Sequence, residues 1–117
     1  MPITEARLQY ETVIWAQENG DYCFHCPNGE KRDKITASKL KAMGVRAGVT
    51  DLIFVLPKAR TLWLELKLAK EELSDSQVNF KDRLQNLSHH YLLIQADSLP
   101  EVVCYLEPEL ARICRLE

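Results

Sequence analysis

The stretch Asp51-Leu52-Ile53-Phe54-Val55-Leu56-Pro57-Lys58-Ala59-Arg60-Thr61-Leu62-Trp63-Leu64-Glu65-Leu66-Lys67 decides the fold. Residues 52–56 and 61–68 read as two strands, apolar runs separated by a short turn. Strands this apolar are buried on at least one face. Along the second strand Trp63, Glu65 and Lys67 share one face, and Leu62, Leu64 and Leu66 share the other. Charged groups set among buried strand residues need a partner. Two carboxylates brought together repel unless they are neutralised. A hard, oxygen-ligated cation such as Mg²⁺ does this and leaves open positions for water and a phosphate.

Whether Asp51 meets Glu65 depends on the loop between the strands. A four-residue loop over 57–60 pairs Leu56 with Thr61 and turns Asp51 away from Glu65. A five-residue loop over 57–61 pairs Leu56 with Leu62, Ile53 with Glu65 and Asp51 with Lys67. Asp51 then joins the Glu65 and Lys67 face, because a slip of one residue flips a whole strand. The odd-length loop, or a β-bulge near Asp51 with the same effect, is the expectation.

The chain has 117 residues, 46% of them apolar. That is enough for one domain, residues 1–117, with a real core. No run of eighteen apolar residues exists, so no membrane-spanning helix is expected. The N-terminal residues lack an apolar signal core, so the cytoplasm is the expected location. No P-loop pattern is present, so no nucleotide cofactor is expected. Cys23-x-x-Cys26, with His25 between, has the look of half a zinc site. No second Cys or His pair stands at ligand spacing, and small thiols in a short strand are the simpler reading.

The net charge of −2 does not by itself advertise a polyanionic partner. The distribution says more. Lys31, Arg32, Lys34, Lys39, Lys41 and Arg46 stand against Asp33 alone, while the stretch from Asp97 to the end is acidic. A basic middle can track a phosphate backbone in an acidic protein.

Caps and periodicity place the remaining elements. Thr4 opens a helix running to about Glu18, closed by Asn19-Gly20, with Leu8, Glu11 or Thr12, and Trp15 on its inner stripe. A short strand follows over 21–26, then a helix around 36–43 closed by Gly44. Ser74 caps a helix to about Leu87, with Val78, Phe80 or Lys81, Leu84 and Leu87 giving a mixed inner face. Residues 91–95 form a compact strand. Ser98 and Pro100 open a further helix, which Pro108 is expected to interrupt, leaving a last short helix over 109–116. The order α-β-α-β-β-α-β-α describes an α/β fold, a mixed sheet flanked by helices.

Four segments together resemble the VRR-NUC group of the PD-(D/E)xK, restriction-endonuclease-like nucleases. Residues 25–32 (His-Cys-Pro-Asn-Gly-Glu-Lys-Arg) are similar to the family's "PN" segment. Residues 40–52 are similar to the segment carrying its catalytic aspartate. Trp63-Leu64-Glu65-Leu66-Lys67 resembles the ExK strand, and Leu73-Ser74-Asp75-Ser76-Gln77 resembles the "LSxxQ" helix start. A lone ExK is weak, but four segments in order at compatible spacing are strong. The likeness spans about residues 5–106. Thr50 departs from the pattern, standing where the family usually has proline before the aspartate. That proline shapes backbone approach and holds no metal.

The resemblance implies a restriction-endonuclease-like fold and a Mg²⁺- or Mn²⁺-dependent DNA endonuclease. Small stand-alone members are linked to phages and look like homodimeric, structure-preferring DNA endonucleases, and a branched substrate such as a four-way junction or flap fits a dimer carrying two active sites. Asp51 and Glu65 are then metal ligands, with the Leu66 carbonyl completing the set. Lys67 orients the attacking water or neutralises the phosphate, and the Gln77 amide bridges groups in the site. From the first helix Gln9 is the expected polar contribution, with Glu5 and Glu11 as alternatives. Asn28, Arg32, Lys39, Lys41 and Arg46 are candidate phosphate contacts. A non-catalytic DNA-binding protein and a nuclease subunit that needs a partner protein are the competing readings.

Overall fold

The computed structural model describes residues 2–27 and 33–117. Its elements are α1 (Glu5–Glu18), β1 (Tyr22–His25), α2 (Lys34–Ala42), β2 (Leu52–Leu56), β3 (Arg60–Lys67), α3 (Asp75–Asn86), β4 (His90–Gln95) and α4 (Leu99–Arg115). This is the expected order. The four strands form one mixed sheet in the order β1-β2-β3-β4, with β4 parallel to β3 and the other pairs antiparallel. Among the described residues no helix is long and apolar enough to cross a membrane.

The hairpin has an odd-length loop, as expected, but it is shorter. Leu56 pairs with Arg60, Phe54 with Leu62 and Leu52 with Leu64, so the loop is Pro57-Lys58-Ala59. Lys58 and Ala59 adopt left-handed backbone angles, φ 62° and 59°, and turn the chain two residues earlier than the five-residue loop does. Arg60 and Thr61 thereby join the ladder. A shift of two residues preserves side-chain parity. The register, continued one step, sets Asp51 opposite Glu65 rather than Lys67.

The even-numbered side chains of β2 and β3 build the core. Leu52, Phe54, Leu56, Leu62, Leu64 and Leu66 cluster with Leu8 and Ala16 of α1 and with Val102, Leu106, Leu110 and Ile113 of α4. Thr12, also fully buried on α1, satisfies its hydroxyl by donating to the Leu8 carbonyl at 2.8 Å. Thr4 caps α1 by accepting the Arg7 N–H at 3.1 Å.

Pro108 does not interrupt the last helix, which runs unbroken through it. Proline removes one backbone bond and crowds the preceding turn. The buried stripe Val102, Leu106, Leu110 and Ile113 nonetheless keeps helical phase across it. Burial of four apolar side chains, ~1.5–3 kcal/mol each, outweighs the ~3 kcal/mol that a helical proline costs. Arg60 reaches over from β3, its guanidinium donating to the Ile113 carbonyl at 2.8 Å near the end of this helix.

The opposite face of the sheet carries α3. Trp63 meets Phe80 edge to face, ring centroids 5.6 Å apart. Leu84 is buried, whereas Leu87, expected on the inner face, is exposed because the helix has ended at Asn86. Gly48 links the loop before β2 to the start of α3. Its φ is +84°, and a Cβ there would lie 2.2 Å from the Ser76 carbonyl oxygen. Gly48→Ala therefore has to move the start of α3 as well as adopt a left-handed angle, which alone costs ~1–2 kcal/mol. Urea denaturation should show a loss at least that large, while Gly20→Ala, with open space around it, should lose only the conformational part.

Candidate active site

Asp51 lies just before β2, and its backbone is pinned. Its carbonyl accepts the Cys26 N–H at 3.1 Å and His25 Nδ1 at 2.8 Å. A carbonyl can only accept, so His25 Nδ1 carries a proton in this contact. On the other side, Asp51 and Glu65 interlock. The Asp51 N–H donates to Glu65 Oε2 at 3.1 Å, and the Leu66 N–H donates to Asp51 Oδ2 at 2.9 Å. Two backbone amides thus clasp the two carboxyl groups where the β2–β3 ladder ends.

Glu65 is only 1% exposed. Burial foremost, and the neighbouring Asp51 charge next, push its pKa up to about 8. The two carboxyl groups are close enough to share a hydrogen bond, which requires a proton on one of them. The Gln77 amide completes the pair, Nε2 donating to Glu65 Oε1 at 2.6 Å. Its orientation follows from the capping box of α3. Gln77 Oε1 accepts the Ser74 N–H at 2.8 Å while the Ser74 hydroxyl accepts the Gln77 N–H. With the amide oxygen committed to the cap, the NH₂ group must face Glu65.

Lys67 follows two residues along the same face and is mostly buried. Its ammonium stands 4.0 Å from Glu5 Oε1, at the start of α1. The Glu5 carboxyl has a raised pKa, through burial first and then a hydrogen bond with Glu71. Glu5 is therefore the first-helix side chain that pairs with Lys67 among the described residues. Gln9, one turn further on, makes no hydrogen bond or ion pair among the described residues, and Glu11 pairs with Arg7 at 3.7 Å. Tyr91 faces the same layer beside Trp63. Burial and the charges of Glu65 and Asp51 hold its phenol pKa far above the usual value, so it stays a neutral donor. The Tyr91 hydroxyl and the Trp63 indole N–H are both buried without a hydrogen-bond partner among the described residues.

The site opens into a cleft of about 1040 Å³ between α2 with its following loop and α3. Asp51 and Gln77 line it, and so do the predicted phosphate contacts Lys41 and Arg46. Lys39 is exposed on α2 and is not part of the lining. Asn28 and Arg32 lie outside the described residues. The sequence reading did not single out Asn79 and Arg83 of α3, which also line the cleft. Their spacing on one helical face was visible, but only the docking of α3 shows that this face borders the cleft.

Cys23 and Cys26 are both half-buried free thiols. Among the described residues no three Cys, His, Asp or Glu side chains converge to hold a metal. The Asp51–Glu65 pair with the Leu66 backbone is a different donor set, two carboxylates and a peptide oxygen. Its chemistry suits a hard divalent cation that uses few protein ligands.

No family model matches this chain, and no curated protein matches it. Solved structures do. A "VRR_NUC domain protein" superposes with a TM-score of 0.75 at 21% identity, over 95% of this chain and 91% of that one. A structure named "VRR_NUC domain" superposes with a TM-score of 0.64 at 16% identity, over 88% of this chain and 94% of that one. The chain has the fold of the VRR_NUC domain proteins, over nearly its whole length.

Proposed function

We propose that this chain is a Mg²⁺- or Mn²⁺-dependent DNA endonuclease that hydrolyses phosphodiester bonds. The observation that carries the reading is the interlocked Asp51–Glu65 pair, held by Gln77 and followed by Lys67, at a cleft bordered by Lys41 and Arg46. The likeness to structures named for a VRR_NUC domain supports it. Asp51, Glu65 and the Leu66 carbonyl would hold the cation. Bound there, it supplies polarisation of a phosphate oxygen and a more acidic water.

The protein's own groups do the rest. The Leu66 N–H and the Gln77 amide hold the two carboxylates in place before substrate arrives, so little reorganisation remains. Lys67 presents a compact positive charge that orients the attacking water or balances charge gathering on the phosphate. Glu5 restrains that ammonium from the start of α1. Lys41 and Arg46 position the strand through its phosphates.

Action as a homodimer on branched DNA, a four-way junction or flap, belongs to the same reading. Each chain offers one carboxylate pair, and paired cuts need two. Tyr22, Phe24 and Val55 are exposed beside one another on the edge strand β1 and its neighbour, an apolar surface of the kind subunits bury.

The test is cleavage of labelled duplex, single-stranded, flap and four-way-junction DNA in Mg²⁺, Mn²⁺ or EDTA. Wild type should cut only with metal. Glu65→Ala and Lys67→Ala should each lose at least ~10²-fold in rate, the scale of removing one preorganised charge-stabilising group. Metal-independent cutting, or full activity in both variants, overturns the assignment. Absence of cutting with DNA binding intact favours the binding-protein or partner-dependent readings.

A second expectation concerns pH. Between the ordinary carboxylate value of 4.5 and about 8, folded Glu65 keeps a proton that the unfolded chain has released. The metal-free protein should therefore lose stability as pH rises through this window, by up to a few kcal/mol. Glu65→Gln should flatten that slope in urea titrations run in EDTA. A slope unchanged by the substitution would show that Glu65 ionises normally.

A further inference from the structure

The α3 wall of the cleft has no assigned role beyond Gln77. α3 sends Ser76, Asn79, Phe80 and Arg83 to the cleft, at offsets of three, four and seven residues that place them on one helical face. That face does not stop there. A second groove of about 660 Å³ shares Asn79 and Arg83 with the cleft and continues to Asn86 and Leu87. The two grooves form a path that leaves the carboxylate pair along the helix. Phe80, seated against Trp63, fixes how this face is presented.

Arg83 stands where the two grooves join. Its guanidinium makes no hydrogen bond or ion pair with the protein among the described residues, and Asp82, which lines the outer groove, does not engage it. Lys41 and Arg46 border the same cleft. An unpaired guanidinium beside the Asn79 amide suits an anionic oxygen ligand, for which its planar fork of donors is built. Six residues separate Gln77 from Arg83, about 9 Å along the helix axis. In duplex DNA one strand carries a phosphate about every 3.4 Å of the duplex axis, so a path of that length along the axis covers two or three phosphates.

We propose that Asn79 and Arg83 form a phosphate-binding subsite for the DNA strand, two or three nucleotides from the bond to be cut. The proposal rests on the nuclease reading for its register and adds a second wall to the strand path. It is tested first without catalysis. Anisotropy of labelled single-stranded and duplex DNA is measured over a salt series in EDTA, for wild type, Arg83→Gln, Asn79→Ala and Lys58→Gln. Lys58 sits in the hairpin turn at the far end of β2 from Asp51 and serves as a control for general charge.

Arg83→Gln should lower the slope of log affinity against log salt by about 1, the loss of one phosphate contact. Asn79→Ala should weaken binding with little change of slope, and Lys58→Gln should match wild type. An Arg83→Gln slope equal to that of wild type overturns the subsite, as does an equal loss in Lys58→Gln. Because binding is read in EDTA, wild type that binds but never cuts defeats the nuclease reading and leaves the subsite to stand or fall on its slope. Wild type that cuts, with an unchanged Arg83→Gln slope, defeats the subsite alone.

Discussion

A carboxyl group buried in the sheet, among strands made largely of leucine, is the constraint on which the site half of this structure depends. Glu65 has almost no contact with solvent, and an ionised carboxylate in such a place is costly unless donors or a positive charge meet it. The Asp51 N–H and the Gln77 amide supply two hydrogen bonds. They do not remove the charge problem, because Asp51 adds a second carboxylate beside the first. The raised pKa of Glu65 expresses that residual cost.

The surrounding architecture serves the same pair. The capping box of α3 ends a helix and also fixes the sense of the Gln77 amide, so a local device for satisfying backbone groups orients a side chain in the site. Gly48 lets the loop before Asp51 press against the Ser76 carbonyl, closer than any side chain permits. The loop that carries Asp51 and the helix that carries Gln77 are thus set against each other. Displacing either moves a group that touches Glu65.

The two faces of the sheet divide the work. One face packs leucines against α1 and α4 and supplies stability. It tolerates Pro108 within a helix because the buried stripe stays in phase. The other face has less cover, keeps two buried polar groups at Trp63 and Tyr91 without partners among the described residues, and borders the cleft.

Local patterns in the sequence determined the elements and their order. Thr4, Ser74 and Ser98 announced the starts of α1, α3 and α4 because capping depends on residues three apart, and alternation placed Glu65 and Lys67 on one strand face. The parity of the hairpin was also legible, since it depends only on whether the loop is odd or even. The loop length was not, because it turned on Lys58 and Ala59 accepting left-handed angles. Nor was the continuity of α4 through Pro108, which the buried stripe decides against local preference. Only the tertiary structure brought Glu5, rather than Gln9, to Lys67, and turned Asn79 and Arg83 toward the cleft. Those facts depend on how helices lie on the sheet, and side-chain periodicity along one helix carries no information about the angle at which it docks.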